Sequence, residues 1–235
     1  VGIGEVVTKR VPRVGIGETV ELEVPDNEKS NYVLRQKENR DRILKRLGGS
    51  DETEAAIGRA LDWFTAHQES DGRWSSRAHG GEDGHDNAIT GFAMLCYFGW
   101  GAKHNEAGPY QAPMAKAVAW LAGQVGKNGD LTGGQQNGMY DQGIATMALA
   151  EGYGLTKDPA LYEPLRRAAM FIVNAQNKEQ GGWRYRPNSK DGDTSVVGWQ
   201  VMALTSARMA GIRVPEESFD RARVWFDHVA GGPHR

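Results

Sequence analysis

Hydrophobic and polar residues change period along the chain. From Thr19 to Val24 β-branched and polar residues alternate, the period of two that predicts a strand. Between Asn31 and Leu47 the segment is charged, with Tyr32, Leu34, Ile43, Leu44 and Leu47 as its few apolar positions, and predicts a surface helix ended by Gly48-Gly49. Beyond it two kinds of helix alternate. One is amphipathic, with Ala56, Ile57, Ala60, Leu61 and Phe64 on one face and Asp51 and Glu54 spaced as a capping box. The other is apolar nearly all round and rich in small residues, as in residues 88–95. Inner helices of the second kind are expected near Ala88, near Tyr140 and from about Asp193 to Met209, before Gly211. Outer helices restart after Pro109 and Pro113, at Asp158-Pro159 with Asp158 as cap and Pro159 in the first helical place, and again near Arg221. Gly91, Gly143 and Gly198 fall early in the three inner helices. Glycine costs roughly 1 kcal/mol against alanine there, so three in register predict close approach of neighbouring helices.

The alternation is a repeat. Arg59-Ala60, Trp63-Phe64, Gln68 and Gly72-Arg73-Trp74 return as Lys116-Ala117, Trp120-Leu121, Gln124 and Gly129-Asp130-Leu131. They return again as Arg167-Ala168, Phe171-Ile172, Gln176 and Gly181-Gly182-Trp183. A fourth copy starts at Arg221-Ala222 with Trp225-Phe226, has Ala230 in place of the glutamine, and is cut short. The glutamines are 56 and 52 residues apart, a length for two helices with loops.

This pattern resembles the QW repeat of the terpenoid cyclase and protein prenyltransferase superfamily, which includes squalene-hopene cyclases. The resemblance covers residues 51–235. It implies an all-α fold, an α/α toroid present as a partial ring of about three and a half helical hairpins. Residues 1–30 are then an extended or β N-terminal arm, and residues 31–50 a linker helix. Gln68, Gln124 and Gln176 are expected to hold backbone groups of the turns, and Trp74 and Trp183 to stack over the connecting segments.

The arm holds a thirteen-residue duplication, Val1-Gly2-Ile3-Gly4-Glu5 and Val14-Gly15-Ile16-Gly17-Glu18. It lacks the third glycine of a dinucleotide-binding turn. A net charge of −2, from 28 basic and 30 acidic residues, provides no field to gather nucleic acid. No apolar run is long enough to cross a membrane, and no signal peptide is visible, which leaves the compartment open. The single cysteine, Cys96, lies in the run from Phe92 to Phe98 and reads as a buried, inert thiol.

Chemistry is legible chiefly as a loss. Cyclases of the resembled family protonate an alkene with the third residue of Asp-x-Asp-Asp-Thr-Ala. Here Lys190-Asp191-Gly192-Asp193-Thr194-Ser195 matches the segment, with glycine in place of that acid. Prenyltransferase zinc needs Asp-x-Cys, and Cys96 has no aspartate two residues before it, so neither metal nor cofactor is expected. One polar constellation remains at the starts of the inner helices: Asp83, His85, Asp86, Asp141, Asp191 and Asp193. Its aspartates read first as helix caps, and alternatively as a site for a polyol, a sugar or a metal, with Thr90, Tyr140, Gln142 and Trp199 as walls. The sequence therefore points to a catalytically silent repeat scaffold holding a hydrophobic or polyol small molecule, or another protein, at its mouth. The alternatives are an isoprenoid enzyme using Asp191 or Asp193 as a non-standard acid, and a carbohydrate-active enzyme.

Overall fold

The computed structural model describes residues 6–12, 19–25, 32, 35 and 37–231. Strands β1 (Val6–Pro12) and β2 (Thr19–Pro25) pair antiparallel, with Val6 opposite Pro25 and Pro12 opposite Thr19. The glycine runs of the duplication, Gly2-Ile3-Gly4 and Gly15-Ile16-Gly17, lie outside the described residues.

Every later regular element among the described residues is helical. The helices are α1 (Lys37–Arg46), α2 (Asp51–Ala66), α3 (Asp86–Trp100), α4 (Gln111–Gln124), α5 (Met139–Thr156), α6 (Tyr162–Ala175), α7 (Thr194–Ala210) and α8 (Glu216–Val229). Single 3-10 turns lie at Arg77–His79 and Pro159–Leu161. The cap of α2 is Ser50, one residue before the Asp51 that sequence suggested. Ser50 Oγ accepts the Thr53 amide at 3.3 Å and Thr53 Oγ1 accepts the Ser50 amide at 2.9 Å. Asp51, Glu52 and Glu54 then fall in the first turn, where negative charge suits the positive helix end. Asp158 and Asp193 cap as expected, the former a 3-10 turn that leads into α6.

Two layers result. Inner helix α5 lies between α3 and α7, and the outer helices α4 and α6 back onto this row. One hydrophobic cluster runs from Leu61 to Trp225, with Met94, Leu121, Leu149, Ile172 and Leu204 fully buried. Its first outer helix departs from expectation: Ile57 is 40% exposed and Ala56 and Ala60 are open, because no described element covers that face of α2.

The repeat motif acts as a set of stitches. Gln68 Nε2 donates to Gly72 O in its own turn and to Pro113 O in the first turn of α4, both at 2.9 Å. Gln176 Nε2 does the same towards Gly181 O at 2.8 Å and Ser218 O of α8 at 2.9 Å. Each glutamine thus ties one outer helix to the next. Trp74 and Trp183 lie buried beneath the turn and donate Nε1 to Phe64 O and Ile172 O, each at 2.8 Å, while Leu131 fills the same place in the second repeat. Gln124 does not stitch. Its amide reaches only Trp120 O of its own helix, at 3.5 Å. The task has moved to Gln142 of α5, whose Nε2 donates to Gly129 O at 3.0 Å and Ala168 O of α6 at 3.2 Å.

The glycine that follows each glutamine is fixed by the same joint. Gly72, Gly129 and Gly181 all have positive φ, and a Cβ there would lie 2.6, 2.0 and 1.9 Å from the carbonyl oxygens of Lys116, Arg167 and Arg221. The basic position that opens each repeat therefore receives the turn of the repeat before it. Between inner helices, a Cβ at Gly91 would stand 3.2 Å from Ile144, and one at Gly143 would stand 3.1 Å from Trp199. Ahead of the repeats, Tyr32 packs under Gly154, Arg35 pairs with Glu151, and Arg40 donates to Trp100 O at 2.6 Å while stacking on the Trp100 ring. These contacts pin Tyr32, Arg35 and Arg40 across the C-terminal ends of α3 and α5.

Candidate functional site

The starts of the inner helices gather the polar residues that the sequence singled out, and most are already engaged. Asp86 accepts the Ser76 amide at 2.9 Å and pairs with Arg73 at 3.0 Å. Asp83 pairs with Arg77, and Asp191 with Arg184, both on the surface. Asp193 accepts the Ser195 amide at 3.0 Å, the Val196 amide at 3.3 Å and the Tyr185 hydroxyl at 3.2 Å. A further bond, donated by the Ser195 hydroxyl, is foremost in holding its carboxyl below the usual carboxylate range, and these three add to it. A group that is ionised so readily is poorly suited to protonate an alkene.

Asp141 is the exception in environment. It has no exposed surface, accepts His85 Nδ1 at 2.7 Å through Oδ2, and accepts the Ala88 amide of α3 at 3.1 Å through Oδ1. Burial pushes its carboxyl up, opposed by the His85 hydrogen bond. The pair bolts the start of α5 to the start of α3.

Two of the expected wall residues, and Asp141 beside them, prove to be structural. Thr90 is fully buried and its hydroxyl accepts the Trp74 amide at 3.0 Å. Gln142 is fully buried in the stitch and its Oε1 accepts the Leu131 amide at 2.6 Å, the same service in the next repeat. Asp141, equally enclosed, is likewise out of reach of a ligand. Sequence spacing could not separate these roles, because a polar residue at a helix start reads alike as wall and as bolt. Tyr140 and Trp199 remain partly exposed. The Tyr140 hydroxyl meets Ser195 Oγ at 2.6 Å and its ring stacks on Tyr185, whereas the Trp199 ring meets Phe92 edge-on with centroids 5.4 Å apart. Since Phe92 belongs to α3 and Trp199 to α7, this contact passes over α5, and the two aromatics occupy the space on that face of the row.

The space beside Gly192 is filled from behind. A Cβ on Gly192 would lie 2.3 Å from Nε1 of Trp225, a buried residue of α8. Gly182 packs on the same indole. Any side chain at 192 has to displace Trp225 first.

One apolar crevice escaped the sequence reading. Trp63 and Phe64 of α2, Ile89, Phe92 and Cys96 of α3, and His79 of the turn between them line a space of about 400 Å³. Trp63 is 48% exposed, stacked on His67 with ring centroids 4.0 Å apart and tilted against His79 at 5.4 Å. Cys96 is exposed here and not buried as expected, because its face of α3 points away from α5 and no described helix covers it. Partial desolvation raises its thiol, so it gains exposure without becoming a readier thiolate. The usable signal was positional, since the motif aromatic of a first repeat has no preceding repeat to pack against.

A scan against protein-family models finds no match, and searches of curated proteins and of solved structures find none. Among the described residues no three His, Cys, Asp or Glu side chains converge as metal ligands, and no helix is long and apolar enough to cross a membrane.

Proposed function

We propose that the chain is a repeat domain of the terpenoid cyclase and protein prenyltransferase type, an arc of an α/α toroid, that has lost cyclase chemistry and binds an apolar small molecule. The observation that carries this reading is Gly192 packed against Trp225, which leaves no room for an acid at the place where the resembled enzymes keep theirs. The remaining carboxylates at the helix starts support it, since each serves as a cap, an ion pair or a bolt. The binding site is the crevice between α2 and α3, whose aromatic walls and few polar groups suit an uncharged isoprenoid or similar lipid-like molecule.

An enzyme with a non-standard acid is the second reading, and the observation favouring it is Asp141, a carboxyl that burial pushes towards its protonated form. Its complete enclosure weighs against it.

The test is to titrate the protein with farnesol while following tryptophan fluorescence, and separately to incubate it with squalene and prenyl diphosphates. Saturable binding lost in Phe92→Asp, without product formation, is the expected result. Turnover abolished by Asp193→Asn or Asp141→Asn, or no saturable binding at all, refutes the proposal.

A further inference from the structure

At the end of α2 three rings close on one another. His67, the C-terminal cap of the helix, stacks on Trp63, and His79, the last residue of the following 3-10 turn, stands with its ring centroid 5.3 Å from that of His67 and 5.4 Å from that of Trp63. Two observations mark the imidazoles as a pair that can share a ligand. The first is a tautomer. His67 Nδ1 lies 2.7 Å from Trp63 O, and since a carbonyl oxygen only accepts, Nδ1 carries the hydrogen and the neutral ring keeps its lone pair on Nε2. Metal-binding imidazoles are oriented in this way, with one nitrogen given to a backbone carbonyl and the other left for the ion. The second is the separation. A zinc–imidazole bond is about 2.0–2.1 Å, so two rings on one ion at a tetrahedral angle have centroids roughly 5 Å apart. His85 and His104 differ, because each already gives a ring nitrogen to an aspartate. Ring contacts are the only interactions of the His79 imidazole among the described residues. Its turn is nonetheless held, by the Gly80 amide on Arg77 O at 3.1 Å and the Gly81 amide on Ser76 O at 2.9 Å.

We propose that His67 and His79 together bind one divalent transition-metal ion of the zinc, copper or nickel kind, with water in its remaining positions. No third imidazole, thiol or carboxylate joins them among the described residues, so the site is open and exchanges its ion, unlike a closed structural zinc centre. Imidazole nitrogen selects against magnesium and calcium, which take oxygen ligands. The bound ion closes the loop from His67 to His79 and fixes the turn that walls the crevice between α2 and α3. It is held whether or not the crevice carries a ligand, so the two proposals fail separately.

The test is to titrate the whole protein, free of any polyhistidine tag, with nickel chloride while following tryptophan fluorescence, and to count bound zinc by equilibrium dialysis. Saturable quenching and one zinc per chain are expected, both lost in His67→Asn and in His79→Asn, with magnesium giving neither. Trp63→Phe is expected to keep the zinc and lose most of the quenching, because the indole in contact with both imidazoles is gone. His79 is exposed, so His79→Asn keeps the parent's circular dichroism and its melting curve without metal. Undiminished zinc binding by His79→Asn overturns the proposal, and so does a parent that takes up no zinc or takes up magnesium equally well.

Discussion

The decisive test of the stitching argument is to replace three glutamines by leucine, one at a time, and compare the costs. Leucine keeps much of the volume while removing the amide. At position 142 the side chain is fully buried and makes three bonds to main-chain groups: to Gly129 O at 3.0 Å, to Ala168 O at 3.2 Å and from the Leu131 amide at 2.6 Å. At about 1 kcal/mol net for each, the loss is about 3 kcal/mol, and it is larger if the turn groups at 129 and 131 stay buried without new partners. Gln176→Leu loses a similar set, to Gly181 O, Ser218 O and from Arg221 Nε at 3.0 Å. Gln124→Leu loses one weak contact at 3.5 Å within its own helix and costs under about 0.5 kcal/mol. Urea unfolding monitored by circular dichroism, with m-values compared so that a changed denatured state is recognised, measures all three. For a chain of this size about 3 kcal/mol corresponds to a fall in Tm of roughly 6 to 12 °C. A costly Gln124→Leu, or a Gln142→Leu within about 1 kcal/mol of the parent, refutes the transfer of the stitch from α4 to α5.

Gly192→Asp, which restores the acid of the resembled motif, is expected to destabilise by about 1 to 3 kcal/mol through overpacking on Trp225 and to yield no squalene cyclisation, checked by thermal melts and product analysis. Gly198→Ala is expected to stabilise by roughly 0.5 to 1 kcal/mol, since its Cβ enters open space within a helix, whereas Gly181→Ala, at positive φ and against Arg221 O, destabilises; the opposite order in denaturant midpoints contradicts the assignment of the two glycines. His104 donates to Asp158 at 2.8 Å and thereby lowers the Asp158 pKa. A lowered folded value means stability that is present above the ordinary carboxylate pKa and lost as pH falls through the folded value. The advantage of the parent over Asp158→Asn should therefore shrink below about pH 4 in unfolding titrations, and a constant gap down to pH 3 counts against it. Asp141 has the opposite sign: with its folded value raised, the parent gains on Asp141→Asn as pH falls from neutral towards the ordinary carboxylate range.

Helical type, the order of outer and inner helices and the caps at Asp158 and Asp193 were all legible in the chain, because they depend on contacts within a few residues of each other. The spacing of apolar residues and the placing of glycine and proline carry that information directly. So were the joints at Gln68, Gln176, Trp74 and Trp183, whose regular return signals a shared geometry. What only tertiary structure decided is which of several chemically equivalent residues meets a given partner. Gln124 and Gln142 are both glutamines near a turn, and only the packing of α5 against α6 gives Gln142 the Ala168 carbonyl. Gly192 looks like a simple loss of an acid until the Trp225 indole is found against it. Cys96 reads as core because its neighbours in sequence are apolar, and Ile57 because it shares the apolar face of its helix, yet no described helix lies over either. Periodicity tells a residue which side of its helix it occupies, whereas the presence of a neighbour on that side is a property of the assembled layer.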